Sequence, residues 1–175
     1  MANARTTAKV IFLAVALILL SQCAAPVSHA GLENNAFPAE VTDAYKDARK
    51  SVLYSLNLAK PSEEPDASDR FHGNKILGQT TINDVQTAAV FNSLTDAVAR
   101  ANGISRCGES PLHGMRVVKD GHVFDLLICY QCGVIEVFKD NNEAALLYFN
   151  TLQPSGKPDL MNEMLEYAKI PLSPE

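Results

Sequence analysis

The chain has 175 residues, a formal net charge of −5 and no tryptophan. An acidic chain without a basic stripe is a poor partner for nucleic acid and for anionic lipid surfaces. No internal repeat and no long low-complexity tract interrupts it.

The first thirty residues read as a secretory leader. Arg5 and Lys9 are its only charges, and an unbroken apolar run, Val10 to Leu20, follows them. That run is shorter than the roughly 20 residues a bilayer span needs. A basic start, a short apolar core and then small residues are the pattern of a signal peptide. Ser28-His29-Ala30 places small residues at the minus-three and minus-one positions, so cleavage is expected after Ala30. The rival is lipid modification at Cys23 in Leu20-Ser21-Gln22-Cys23, where Gln22 stands in place of the usual small residue. Both readings export the protein, to the periplasm or to a lipid anchor on the cell envelope. Membrane contact is then expected only through the leader or a lipid at Cys23.

Residues 31–175 form one expected domain of 145 residues, in the common size range. Without Arg5 and Lys9 it carries 13 basic against 20 acidic residues, a net of −7. Pro38 can open a helix, and Phe37, Val41, Tyr45 and Ala48 recur at helical spacing to about Arg49. Residues 51–56 read as a strand, 60–70 as a polar loop rich in helix breakers, and 75–80 as a second strand. Thr81-Ile82-Asn83-Asp84 has the spacing of a capping box. The longest helix is expected from there, burying Val90, Phe91, Leu94, Val98 and Ala101 and stopping at Gly103.

The second half reads as a meander. Asp120-Gly121 between two apolar runs is a strong hairpin signal, because a type I′ turn needs positive φ at both central residues. It predicts pairing of 114–119 with 122–129. A further strand is expected at 134–138 after a turn. Residues 140–142 turn the chain, 145–149 suit strand or helix, and 154–158 form a loop. Leu160, Met164, Leu165 and Ala168 mark a last amphipathic helix ended by Pro171. The fold class is therefore α+β, an antiparallel β-meander packed against one long and one or two shorter helices.

Outside the leader the cysteines number three: Cys107, Cys129 and Cys132. An odd number cannot all pair within one chain. Cys129-Tyr130-Gln131-Cys132-Gly133 has the spacing of a zinc knuckle, in which a tight turn aims two thiolates at one ion. Cys107 and His113, placed by this reading in the loop before the meander, complete a Cys₃His set for zinc. The plainer expectation in an oxidising compartment is a disulfide from Cys107 to Cys129 or Cys132, with the third cysteine a buried small hydrophobe. The alternative is a thiol-dependent enzyme or redox protein using Cys129 or Cys132 as nucleophile and His113 as base. His72 in Phe71-His72-Gly73 and His122 in the hairpin turn read as loop histidines. Asp43, Asp47, Glu163 and Glu166 read as solvated helix faces. No phosphate loop, nucleophile elbow or His-Glu-x-x-His is present, so the balance favours a binding or structural role over catalysis.

The segments Leu53-Tyr54-Ser55-Leu56, Phe71-His72-Gly73 with Ile76-Leu77-Gly78, Cys107 with Pro111-x-His113-Gly114, and Ile128-Cys129-x-x-Cys132 occur in this order, followed by a helix and an Ile170-Pro171-Leu172 tail. In this the chain resembles an uncharacterised family of small exported bacterial proteins, many labelled lipoproteins. The resemblance covers most of residues 31–175, and its specific part is the cysteine and histidine order. It implies export and a shared cysteine site, and it implies no substrate. Members of that family usually carry Asp-Pro after the Leu-Tyr-Ser-Leu segment and a basic residue between the Pro and the His. This chain has Asn57-Leu58 and Leu112 there.

Overall fold

Seven strands pair edge to edge, antiparallel throughout, in a computed structural model that describes residues 34–57, 69–101 and 112–173. The expected leader, Cys23, most of the polar loop, Gly103 and Cys107 lie outside the described residues. In chain order the elements are helix α1 (Ala39–Lys46), strands β1 (Lys50–Asn57), β2 (Arg70–Phe71) and β3 (Asn74–Asn83), and helix α2 (Asp84–Ala99). Strands β4 (His113–Lys119), β5 (His122–Cys129), β6 (Val134–Lys139) and β7 (Asn142–Tyr148) follow, then a 3₁₀ turn (Pro154–Gly156) and helix α3 (Asp159–Tyr167). The sheet order is β2-β3-β1-β4-β5-β6-β7. This is the expected α+β class, with a meander from β4 to β7. No helix of the described residues is long and apolar enough to cross a membrane.

The β4–β5 hairpin forms as its turn dictates. Asp120 and Gly121 both take positive φ, 52° and 82°, and Met115 pairs with Leu126. Of the residues left open at 145–149, 145–148 extend the sheet as part of β7, because Ile135 and Val137 of β6 find partners in Leu147 and Ala145. The start of α2 differs from expectation. Asn83, not Thr81, caps the helix: its side chain accepts from the Gln86 amide at 2.9 Å, and the Gln86 side chain accepts from the Asn83 amide at 3.1 Å. Thr81 and Ile82 are still extended, paired with Val52 and Ser51, and Ile82 is buried. Burial of that strand residue outweighs the local capping pattern.

The helices cover one face of the sheet. Alternation along the strands sends Leu53, Met115, Val117, Phe124, Leu126, Ile128, Ile135 and Val137 into a core with Phe91 and Leu94 of α2 and Met161 and Leu165 of α3. Each large side chain buried there contributes about 1.5–3 kcal/mol. Tyr45 of α1 stacks on Phe91 at 4.9 Å between ring centroids, and its hydroxyl lies 2.8 Å from the Met115 carbonyl oxygen. Ser51 and Thr87 hydroxyls meet at 2.7 Å and tie β1 to α2.

The other face holds a second, smaller cluster: Tyr54, Leu56, Phe71 and Leu127. Phe71 reaches it because the β2–β3 hairpin folds over the sheet. The β1–β3 register slips between Ser55 and Leu56, where Ser55 faces Gly78 and Leu56 faces Ile76. Such a bulge bends and twists its strand. The edge strand β7 is sealed at one end by Asn35. Its side-chain amide donates to the Tyr148 carbonyl at 2.8 Å and accepts from the Tyr148 amide at 2.8 Å.

Candidate functional site

The cysteine pair closes on itself. Cys129 ends β5, Cys132 precedes β6, and the two form a disulfide across a Cα separation of 5.3 Å. The expected bridge from Cys107 is therefore replaced by one within the Cys-x-x-Cys turn, whose Cα separation already lies in the usual disulfide range. The Cys132 amide donates to the Cys129 sulfur at 3.1 Å. Both residues are buried, packed with Val134, Tyr148 and Leu146. Gly133 makes the turn possible. Its φ is 64°, and a Cβ there would lie 2.6 Å from the Phe149 carbonyl oxygen.

His113 is not in a loop but opens β4, opposite Ile128. It therefore shares Ile128's face, the helix-covered one, while Cys129, the next residue, points to the other face. Its Nε2 lies 2.8 Å from Asn162 Oδ1 of α3, and its ring meets the Tyr130 ring edge-on at 5.4 Å. Its Nδ1 is buried and has no hydrogen-bond partner among the described residues. Burial lowers the imidazole to a pKa of about 4, against a weaker opposing effect of the Asn162 hydrogen bond, so it is neutral at pH 7.

A four-ligand zinc site needs Cys107, His113, Cys129 and Cys132 at one point. His113 lies across the sheet from Cys129, both sulfurs of the turn are bonded to each other, and Cys107 lies outside the described residues. Of the four expected ligands, then, the described residues bring Cys129 and Cys132 together and place His113 on the opposite face from Cys129. Among the described residues no group of three His, Cys, Asp or Glu side chains is placed to hold a metal ion.

A second constellation lies on the face away from the helices. Asp125 of β5 is buried at the sheet centre, with its side chain 1% exposed. Arg116, its cross-strand partner on β4, grips it with both ends of the carboxylate: Nε to Oδ1 at 2.7 Å and Nη2 to Oδ2 at 2.6 Å. His72 Nε2 lies 2.8 Å from the same Oδ2. Burial pushes the Asp125 carboxyl up, but the hydrogen bonds from Arg116 and His72 more than offset this and hold it below the ordinary carboxylate range. His72 sits in the β2–β3 turn with φ 47°, followed by Gly73 at φ 80°. Its ring stacks on Phe138 at 3.8 Å and meets Phe71 edge-on at 4.9 Å. A carboxylate that fixes one imidazole nitrogen sets the tautomer and orients the ring, as in many acid–base and ligand-binding sites.

The remaining weak candidates stay on the surface. His122 Nδ1 lies 2.7 Å from Asp140 Oδ2, with both side chains about half exposed. Asp47 pairs with Lys119 at 2.6 Å. No family model, no curated protein and no solved structure matches the chain.

Proposed function

We propose that this is an exported protein of the cell envelope with a binding or structural role, in which Cys129–Cys132 is a structural disulfide. The observation that carries the reading is the closed, buried cysteine pair, sealed from His113 by the sheet itself. Disulfides persist in oxidising compartments and are rare in the cytosol. The leader sequence, Arg5 and Lys9 followed by Val10 to Leu20, points to the same compartment.

One observation favours the redox alternative. The Cys132 amide donates to the Cys129 sulfur, which would stabilise a thiolate at Cys129 once an external thiol reduced the bond. Burial of both sulfurs opposes it, since exchange needs access for the attacking thiolate.

Intact mass spectrometry of protein taken from its native compartment separates these readings. The structural reading expects a chain beginning at Gly31 or at a lipid-modified Cys23, two hydrogens lighter than the fully reduced form, and resistant to glutathione until unfolded. A chain still beginning at Met1 would sink export. Rapid reduction of the folded protein would favour the redox reading, and a retained metal mass the zinc reading.

A further inference from the structure

The tip of the β2–β3 hairpin lies over the second sheet face, and among the described residues it makes no backbone bond to the strands beneath it. Among those residues strand β2 pairs only with β3. What holds the tip down is two side chains. One edge of the Phe71 ring sits on β4 at Gly114, where a Cβ would stand 2.6 Å from it, and the ring packs against Tyr54 at 4.5 Å between centroids. His72 slots between Phe138 and the buried Asp125 carboxylate. His72 and Gly73 both take positive φ, 47° and 80°, as a two-residue turn between Phe71 and Asn74 requires, and this turn presents the His72 ring to the sheet. Stability alone does not ask for this arrangement, because a buried ion pair is seldom better than apolar residues of the same volume.

We propose that the Phe71-His72 tip is a lid resting in a ligand groove, and that Asp125 is the recognition group at the groove's floor. The floor is the notch at Gly114 and the Asp125 carboxylate, which Arg116 keeps ionised and fixed in direction. The walls are Tyr54 and Phe138. The tip occupies this space as a guest would, with one flat ring in the notch and one planar N–H ring stacked at 3.8 Å and bonded at 2.8 Å. The ligand class that fits is therefore a planar nitrogen heterocycle presenting an N–H donor. The β-bulge between Ser55 and Leu56, where the hairpin turns over the sheet, is the bend about which the tip lifts.

Two variants of the full chain test this. His72→Asn keeps a residue that accepts left-handed backbone but cannot reach Asp125. Amides of residues 70–76 should then exchange at least about tenfold faster, the effect of losing one charge-assisted hydrogen bond, with the amides of Met115 and Leu126 unchanged. His72→Gly vacates the ring position. Imidazole should then give saturable chemical-shift changes at the Asp125 and Phe138 amides. At about pH 8, where both rings are largely neutral, 1-methylimidazole should not, because it lacks the N–H donor. Unchanged exchange in His72→Asn would show that the tip is not latched. Loss of protection through the whole sheet would show that it is core rather than lid. Absence of saturable shifts with imidazole, or equal shifts with 1-methylimidazole, would remove Asp125 as a recognition group.

Discussion

Along β5, Asp125 and Leu126 are neighbours in sequence and point to opposite faces of one sheet. Leu126 enters a core of aliphatic and aromatic side chains under three helices, where the histidine, His113, is kept neutral. Asp125 enters a face covered by one hairpin tip, and it is kept charged by Arg116 and His72. The helix face excludes charge and gains from dispersion and desolvation. The hairpin face keeps a charge and directs it. The second face is specified by geometry, since three groups must meet at two oxygens, whereas the first is specified mainly by volume.

Substitution at the two neighbours breaks this comparison most sharply. Asp125→Ala should cost about 3–5 kcal/mol in urea unfolding, because it strands a half-buried guanidinium. Leu126→Ala should cost about 2–5 kcal/mol through a cavity. The distinction lies in repair. Asp125→Leu combined with Arg116→Met should recover most of the stability, since the pair is replaced as a unit. If the double variant is no better than Asp125→Ala, the second face is not a matter of pairing.

Acid should act next. His113 has a folded pKa of about 4 against 6.5 when exposed, so the unfolded chain binds its proton first. Its contribution is complete above pH 6.5 and is lost as pH falls towards 4, by about 3 kcal/mol. A His113→Leu variant should flatten the stability profile in that window. Asp125, with its lowered pKa, should start to lose its contribution as pH falls into the ordinary carboxylate range, where the unfolded chain takes up its proton first, and lose the rest as pH falls to the lower folded value. Cys129→Ala with Cys132→Ala should cost about 2 kcal/mol, the small value expected for a short closed loop. Smallest of all, Asp47→Asn breaks an exposed pair with Lys119 and should leave the urea midpoint unmoved at moderate salt.

Much of the second face was readable from one turn. A two-residue turn at Asp120-Gly121 sets residues equidistant from it opposite each other, so Arg116 falls across from Asp125 and His113 across from Ile128. An aspartate inside the apolar run Val123–Cys129, facing an arginine, was the available signal for the buried pair. The same register already puts Cys129 and His113 on opposite faces, against their convergence at a metal. Phe71-His72-Gly73-Asn74 carried a turn signal as well, with Gly73 at a positive-φ position. What local pattern did not carry is the fold of that turn across the sheet. It depends on a bulge in the β1–β3 ladder and on the small size of Gly114, which are properties of strands distant in sequence. The misplaced cap at Thr81 has the same origin, since the pairing of Ile82 with Ser51 and of Asn83 with Lys50 carries β3 to Asn83.

Asn35 has a consequence for behaviour in a crowded compartment. An open edge strand is a template for other chains, and proteins guard such edges against association. Here one side-chain amide imitates an added strand for the length of a single residue, engaging both the N–H and the C=O of Tyr148. The guard stands only a few residues beyond the expected cleavage point at Ala30. Trimming that removes Asn35, or Asn35→Ala, would take these two contacts from β7 and should raise its tendency to associate edge to edge.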